Sequence, residues 1–457
     1  METADSAFEA CGDTAKGNPP AVCSTTRLIY TINGRSWPGT ERQHATVSDS
    51  LHWRIINASF DTHPMHLHGF YYRVDDFRAR PGAPEQPPAP GQMVVTQPMS
   101  PFSTMSMTWS PTRPGNWLFH CHFALHLQPD SLSAVAEDPY LRDMSGLVIG
   151  TIVSGRPGIA ADSNTLRVRH LHLIASSDGS APGERRYILG SPTSVPSMFF
   201  VLEENGQRIA TGSDASPPLE LVRGDPVAIT IVNHLPLATS VHWHGIEVQD
   251  SYMDGVPGFS GSGSRLSPMI APGDSFVARF TLPRAGTFMY HAHVDEMRED
   301  MAGLEGALIV RERGAVRSPD DHIILLKGAA GAARHPLEID GQADPDTIVL
   351  HQGRTARFRI MNLSTFDPAA QFWLTARPDS AARLRSDSML VQWRVVAKDG
   401  FDSPPAQRAP QPARRVVSIG ETYDFEYTPE RPGALRLEVR GSGAPHPLLI
   451  RLPIRVE

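Results

Sequence analysis

A short pattern recurs three times along this chain and fixes most of what the chain can become. Arg113-Pro114-Gly115, Arg284-Ala285-Gly286 and Arg431-Pro432-Gly433 each follow one alternating apolar run and open another. An upstream pattern keeps step with it: Ile55-Ile56-Asn57, Ile231-Val232-Asn233 and Ile360-Met361-Asn362. Repetition of this kind predicts three copies of one supersecondary unit. Strands are predicted at 28–32, 51–56, 104–108, 117–122, 323–326 and 356–360, separated by Gly/Pro turns. Helical periodicity is scarce, so the expected fold class is all-β, made of three sandwiches.

The repeats also align the histidines. Nine and eleven residues past the three asparagines stand His66 and His68, His242 and His244, then Gln371 and Trp373. Five and seven residues past the three glycines stand His120 and His122, His291 and His293, then Glu438 and Arg440. The first two units therefore carry histidine pairs at equivalent positions and the third carries none. Side chains alternate across a strand, so each His-X-His pair points to one face. One such pair arises by chance; four at equivalent positions do not. Packed about a pseudo-two-fold axis, two units would converge eight imidazoles, enough for three metal ions as three plus three plus two. Cys121, between His120 and His122, faces the other way, where His63 and His126 can join it. A thiolate with two imidazoles is a blue-copper ligand set. Catalytic zinc needs only three protein ligands and an open position, and is the poorer fit. Pro64 is expected to interrupt the ladder beside His63.

These motifs resemble those of the multicopper oxidases, the laccase-like proteins, over nearly the whole chain beyond its first residues. The resemblance implies three cupredoxin-like Greek-key sandwiches and four copper ions: one type 1, one type 2 and two type 3. It implies His63, Cys121 and His126 as type 1 ligands, and His66 and His242 as type 2 ligands. His68, His120, His122, His244, His291 and His293 match the type 3 pair. Asp254, in Tyr252-Met253-Asp254-Gly255, matches an acid that assists proton delivery; otherwise it is a turn residue. Electrons would pass from type 1 copper through Cys121 to the cluster.

The order departs from the family. The His-Cys-His unit leads, the His-Trp-His-Gly unit follows and the ligand-free unit ends the chain, which reads as a circular permutation or as part of a longer array. The expected divisions are a tail at 1–26, domains at 27–155, 165–313 and 318–457, and a linker near 154–164. An insertion at 127–142 separates His126 from Asp143-Met144-Ser145-Gly146, which parallels Asp300-Met301-Ala302-Gly303. Met144 is thus the candidate weak axial ligand, with core packing as its other reading. Leu125 stands where some bacterial relatives have a glutamate.

Composition narrows the function further. A net charge of -7 gives no footprint for nucleic acid, and no apolar run is long enough to span a membrane. Cys11 and Cys23 either close a small disulfide loop or are two free thiols. The expected location is periplasmic or secreted, in a bacterium, with a leader absent from this sequence; a cytoplasmic location is the other reading. The expected partners are O2 and a small reducing substrate, phenol or aromatic amine, in a monomer or a homo-oligomer such as a trimer. The loops 80–91 and 127–142 are expected to border its entrance. Oxidation of cuprous or ferrous ions is the alternative, although the 15 methionines form no rich segment. A non-enzymatic envelope scaffold and a copper nitrite reductase are further readings; the complete ligand set argues against both.

Overall fold

The computed structural model describes residues 29–80, 87–127, 144–155, 167–177, 184–186, 192–194, 198–209, 216–294, 296–328, 337–365, 367–376, 389–443 and 446–457. The expected tail, Cys11 and Cys23, most of the linker and nearly all of the 127–142 insertion lie outside them. The part of the 80–91 loop from 81 to 86 does too.

Strands dominate the described residues, and they pack as three cupredoxin-like sandwiches. In the first, Arg42–Thr46, Val148–Ser154, Gly115–Cys121, His63–Leu67 and Thr96–Met99 lie in one sheet. Leu51–Ile56, Thr104–Trp109, Tyr72–Arg78 and Gln92–Val94 form the other. The second sets the sheet of Arg169–Ser177, Pro226–Asn233 and Ser275–Thr281 against Leu219–Val222, Glu305–Arg311 and Gly286–His291. In the third, Asp321–Gly328, Ala356–Asn362, Thr422–Tyr427 and Gln392–Lys398 face Ile348–Leu350, Leu448–Val456, Gly433–Arg440 and Gln371–Ala376. Each sandwich has parallel neighbours far apart in sequence, such as Arg42–Thr46 with Val148–Ser154 and Asp321–Gly328 with Ala356–Asn362. Such pairs need long crossovers, as Greek-key connections supply.

The three repeats do the same structural work. Gly115, Gly286 and Gly433 open their strands at φ of 125, 158 and 155°, a region that side chains disfavour. The asparagines act as identical clips: Asn57, Asn233 and Asn362 each accept, at 2.9 Å, the N–H two residues on. Their amides reach across to the carbonyls of Met99, Ile270 and Val417 at 2.7–2.9 Å. A satisfied buried amide at each strand end fixes where the following ligand strand begins.

Two sequence expectations change. Residues 28–32 form no strand among those described; Asn33 and Gly34 turn so tightly that only an Ile32–Arg35 bridge forms. Pro64 does not break its ladder, because it lies opposite Pro98 in the pairing with Thr96–Met99.

The first two sandwiches share one continuous apolar core running from Ala45 to Val310. The third has its own, around Phe358, Phe372, Trp393 and Phe425. A polar seam joins it to the second: Arg359 donates to Asp321, Asp424 and Thr287, and Thr287 donates to Asp424. No described helix is long and apolar enough to cross a membrane.

Candidate metal centre

Strand pairing builds the first cluster. His63–Leu67 runs antiparallel to Gly115–Cys121 with Met65 opposite Cys121 and His66 opposite His120. His126 follows on the short 3-10 turn Ala124–Leu127. His63, Cys121 and His126 are all buried, and Sγ of Cys121 lies 3.7 Å from His63 Nδ1 and 3.5 Å from His126 Nδ1. The two Nδ1 atoms are 2.9 Å apart, and Ser59 Oγ meets the outer Nε2 of His63 at 2.7 Å. Burial pushes His63 down to about 4, so both imidazoles are neutral, and it pushes the Cys121 thiol well up. A thiolate at this spot therefore requires a cation beside it. Met144 is buried at the same end: Ser145 N–H donates to Leu127 O and Leu147 N–H to His126 O.

Across the same strand, all eight remaining histidines converge within one chain. His122 Nε2 lies 3.1 Å from His244 Nδ1 and 3.3 Å from His291 Nε2. His68 Nε2 lies 2.9 Å from His120 Nε2, with the His293 ring 5.1 Å from that of His68 and 5.6 Å from that of His120. His66 Nε2 and His242 Nε2 are 3.4 Å apart. Two threes and a pair result. His66 also lies close to His68 and His120, and to His244, so the three groups abut.

Six of the eight histidines have their outer nitrogen tied down, while Nδ1 of His122 and of His293 is buried without a hydrogen-bond partner. Nδ1 of His66 donates to Val95 O, of His120 to Cys121 O, of His242 to Asp254 O and of His291 to Ala292 O, at 2.7–3.0 Å. His68 Nδ1 meets Asp254 Oδ2 at 2.8 Å, so Asp254 holds one member of a three and one of the pair. Gly255 makes this possible, since a Cβ there would lie 1.9 Å from Val241 O. Burial pushes the Asp254 carboxyl up to about 7 and depresses all eight imidazoles. A neutral imidazole whose one N–H points outward to an acceptor, as in those six, turns a bare lone pair inward. Lone pairs facing each other at about 3 Å repel unless a cation sits among them. The set is imidazole-only on one face and thiolate–imidazole on the other, which suits copper.

The structure also brings further residues to the site. Tyr30 lies against both His126 and His63, with ring centroids 4.2 and 5.3 Å away, and its hydroxyl donates to Asp61. Glu296 approaches His293 Nε2 at 3.4 Å. The repeat held a signal for it, because Glu296 stands five residues past His291 as Leu125 stands five past His120. Gly420 O accepts from His244 Nε2 at 2.8 Å and belongs to the unit without ligands, where no motif pointed.

Family models described as multicopper oxidase match residues 11–140 and 206–315, together more than half of the chain. The chain belongs to the multicopper oxidase family. A multicopper oxidase of Talaromyces pinophilus is 38% identical over 135 residues, 29% of this chain and 20% of that protein. Copper resistance protein A of Escherichia coli is 32% identical over 136 residues, 29% of this chain and 21% of the relative. Laccase-1 of Emericella nidulans is 37% identical over 103 residues, 22% of this chain and 16% of the relative. The matched stretch thus spans about a fifth of these curated relatives. Among solved structures, the blue copper oxidase of Nitrosomonas europaea aligns at a TM-score of 0.44 and 20% identity, covering 64% of this chain and 86% of that one. A laccase-like multicopper oxidase of Ochrobactrum aligns at 0.43 and 20%, covering 65% and 62%.

Proposed function

We propose that this chain is a laccase-like oxidase that couples one-electron oxidation of phenols or aromatic amines to reduction of O2 to water. The observation that carries the reading is the set of facing imidazole lone pairs, two threes and a pair, one strand away from a buried thiolate site. His63, Cys121 and His126 would hold type 1 copper, and Met144, buried at the same end, is the candidate further ligand. His66 and His242 would hold type 2 copper. His122, His244 and His291 would hold one type 3 ion, and His68, His120 and His293 the other. Copper bound there supplies one-electron acceptance at the thiolate and four-electron reduction of dioxygen at the three-ion cluster.

The protein's own residues do the rest. Cys121 is bonded to both His120 and His122, and its carbonyl accepts from His120 Nδ1 at 2.9 Å, giving electrons a short route between the sites. Asp254 holds His68 and His242 with their Nε2 atoms inward and is the candidate proton donor to the cluster. An organic donor is favoured by the rim beside His63. There Phe60, 84% exposed, meets Phe102 edge to face at 5.2 Å, on the loop whose Ser59 touches His63. The cuprous or ferrous alternative would want methionines at that rim, yet Met65, Met99, Met105, Met107 and Met144 are all buried. The domain order belongs to the same proposal: the two ligand-bearing sandwiches are consecutive and share a core, which supports a permuted chain able to assemble its cluster alone. A periplasmic or secreted location completes it.

The first test is metal content with optical and EPR spectra on copper-loaded protein. The expected result is about four ions per chain, a blue thiolate band and a type 2 signal. A colourless protein that takes up little copper would overturn the reading. Asp254→Asn is expected to cut oxygen uptake about 10–100-fold while the blue band stays, as loss of a ligand-orienting carboxylate does. Unchanged uptake would remove Asp254 from the mechanism.

A further inference from the structure

The ligand-free third sandwich touches the histidine cluster at Gly420, and the contact reverses one imidazole. Five of the eight imidazoles turn Nδ1 outward and keep Nε2 for the interior. His244 is reversed: its Nδ1 faces His122 Nε2 at 3.1 Å, and its Nε2 meets Gly420 O at 2.8 Å. A carbonyl only accepts, so Nε2 must carry the hydrogen and Nδ1 the free lone pair. Gly420 also lies flat against His122, where a Cβ would come within 2.8 Å of the ring. One glycine thus adjoins two of the three imidazoles in a single group.

The loop that presents this carbonyl is firmly held. Gly420 N–H donates to Asn362 O at 2.8 Å, so the clip of the third repeat anchors it. Ser418 N–H donates to Glu421 at 2.7 Å, and Glu421 pairs with Lys398 at 2.5 Å in the interior. Ile419 between them is buried in the core of the first two sandwiches. A second arm runs beside it: Asp399 Oδ2 accepts from the backbone N–H groups of Val95 and Thr96 at 3.0 and 3.1 Å.

We propose that the third sandwich is a working part of the copper site. Through the Gly420 carbonyl it fixes His244 with Nδ1 inward and so positions the His122–His244–His291 group. This rests on the oxidase reading for the identity of the metal, but the tautomer of His244 does not. Gly420 is a positioning residue, not a ligand, and tethering a ligand's outer N–H is worth about 10–100-fold in metal affinity or activity.

Two experiments on the full chain test it. The first uses metal-free protein labelled with 15N-histidine, the His244 signals being assigned by their loss in His244→Gln. Long-range 1H–15N correlations are expected to show hydrogen on Nε2; hydrogen on Nδ1 would overturn the proposal whatever the protein's activity. The second uses copper-loaded Gly420→Ala. The blue band, which reports an intact fold, is expected to stay, while about one ion per chain is lost and its former partner gains an EPR signal. Copper content and EPR identical to the unsubstituted protein would overturn it as well. Loss of the blue band in this variant would leave the tautomer experiment to decide. An oxidase reading that failed would show instead as absence of copper from the unsubstituted protein.

Discussion

Cys121→Ser is expected to bleach the protein and bring oxygen uptake to background while copper stays bound at the imidazole cluster. The side chain is fully buried between two neutral imidazoles, and it is the one free cysteine among the described residues. A serine hydroxyl is close in size, so the strand and its pairing with His63–Leu67 should persist. It is, however, a hard and far weaker acid, and gives copper no soft anionic ligand. Electrons from the donor would then have no acceptor one residue from His120 and His122. EPR of the variant should keep the type 2 signal and lose the type 1 signal, with no turnover in an oxygen electrode. Uptake at the normal rate would mean that electrons enter elsewhere and would sink the oxidase mechanism.

Lys398→Met is expected to give the largest loss of stability, about 3–5 kcal/mol, because removing one partner strands a buried charge. The ammonium is 2% exposed, pairs with Glu421 at 2.5 Å and donates to Gln97 at 3.2 Å across the sandwich boundary. Its removal leaves the Glu421 and Asp399 carboxylates side by side with no cation. Adding Glu421→Gln should restore most of the loss, since the amide oxygen can still accept from Ser418 and carries no charge. Denaturant unfolding followed by tryptophan fluorescence reads both variants, Trp393 lying in the third core. A single variant as stable as the parent would show that water already reaches the pair.

Much of this was legible in the sequence because period and repetition act locally. Alternation puts His120 and His122 on one face and Cys121 on the other, and the repeat offsets put four histidine pairs at equivalent positions of two units. The convergence of those pairs is what a two-fold packing of the units implies, whereas the division into His66 with His242 and His122 with His244 and His291 appears only in the structure. What sequence did not reveal is mostly backbone or depends on packing between units. Gly420 contributes a carbonyl, which every residue has, so no residue type marks it. Asp399 acts on Val95 and Thr96 more than 300 positions away. Pro64 reads as a ladder break when its own strand is considered alone; the relief comes from Pro98 opposite it on the neighbouring strand. Tyr30 lies in a run that reads as a strand, yet the Asn33-Gly34 turn is too tight to build one, and the ring instead packs against His63 and His126.

The three asparagine clips separate shape from chemistry. Each sets the geometry of its strand end with hydrogen bonds that involve no histidine, so positions nine and eleven residues on are free to hold anything the interior accepts. In the third sandwich they hold Gln371 and Trp373, which bond to each other at 3.1 Å. A lineage built on such a frame can erase or install a metal ligand by single substitutions without redrawing a strand. The copper chemistry proposed for this chain is, in that sense, inscribed on a template that keeps its form whether or not it is written upon.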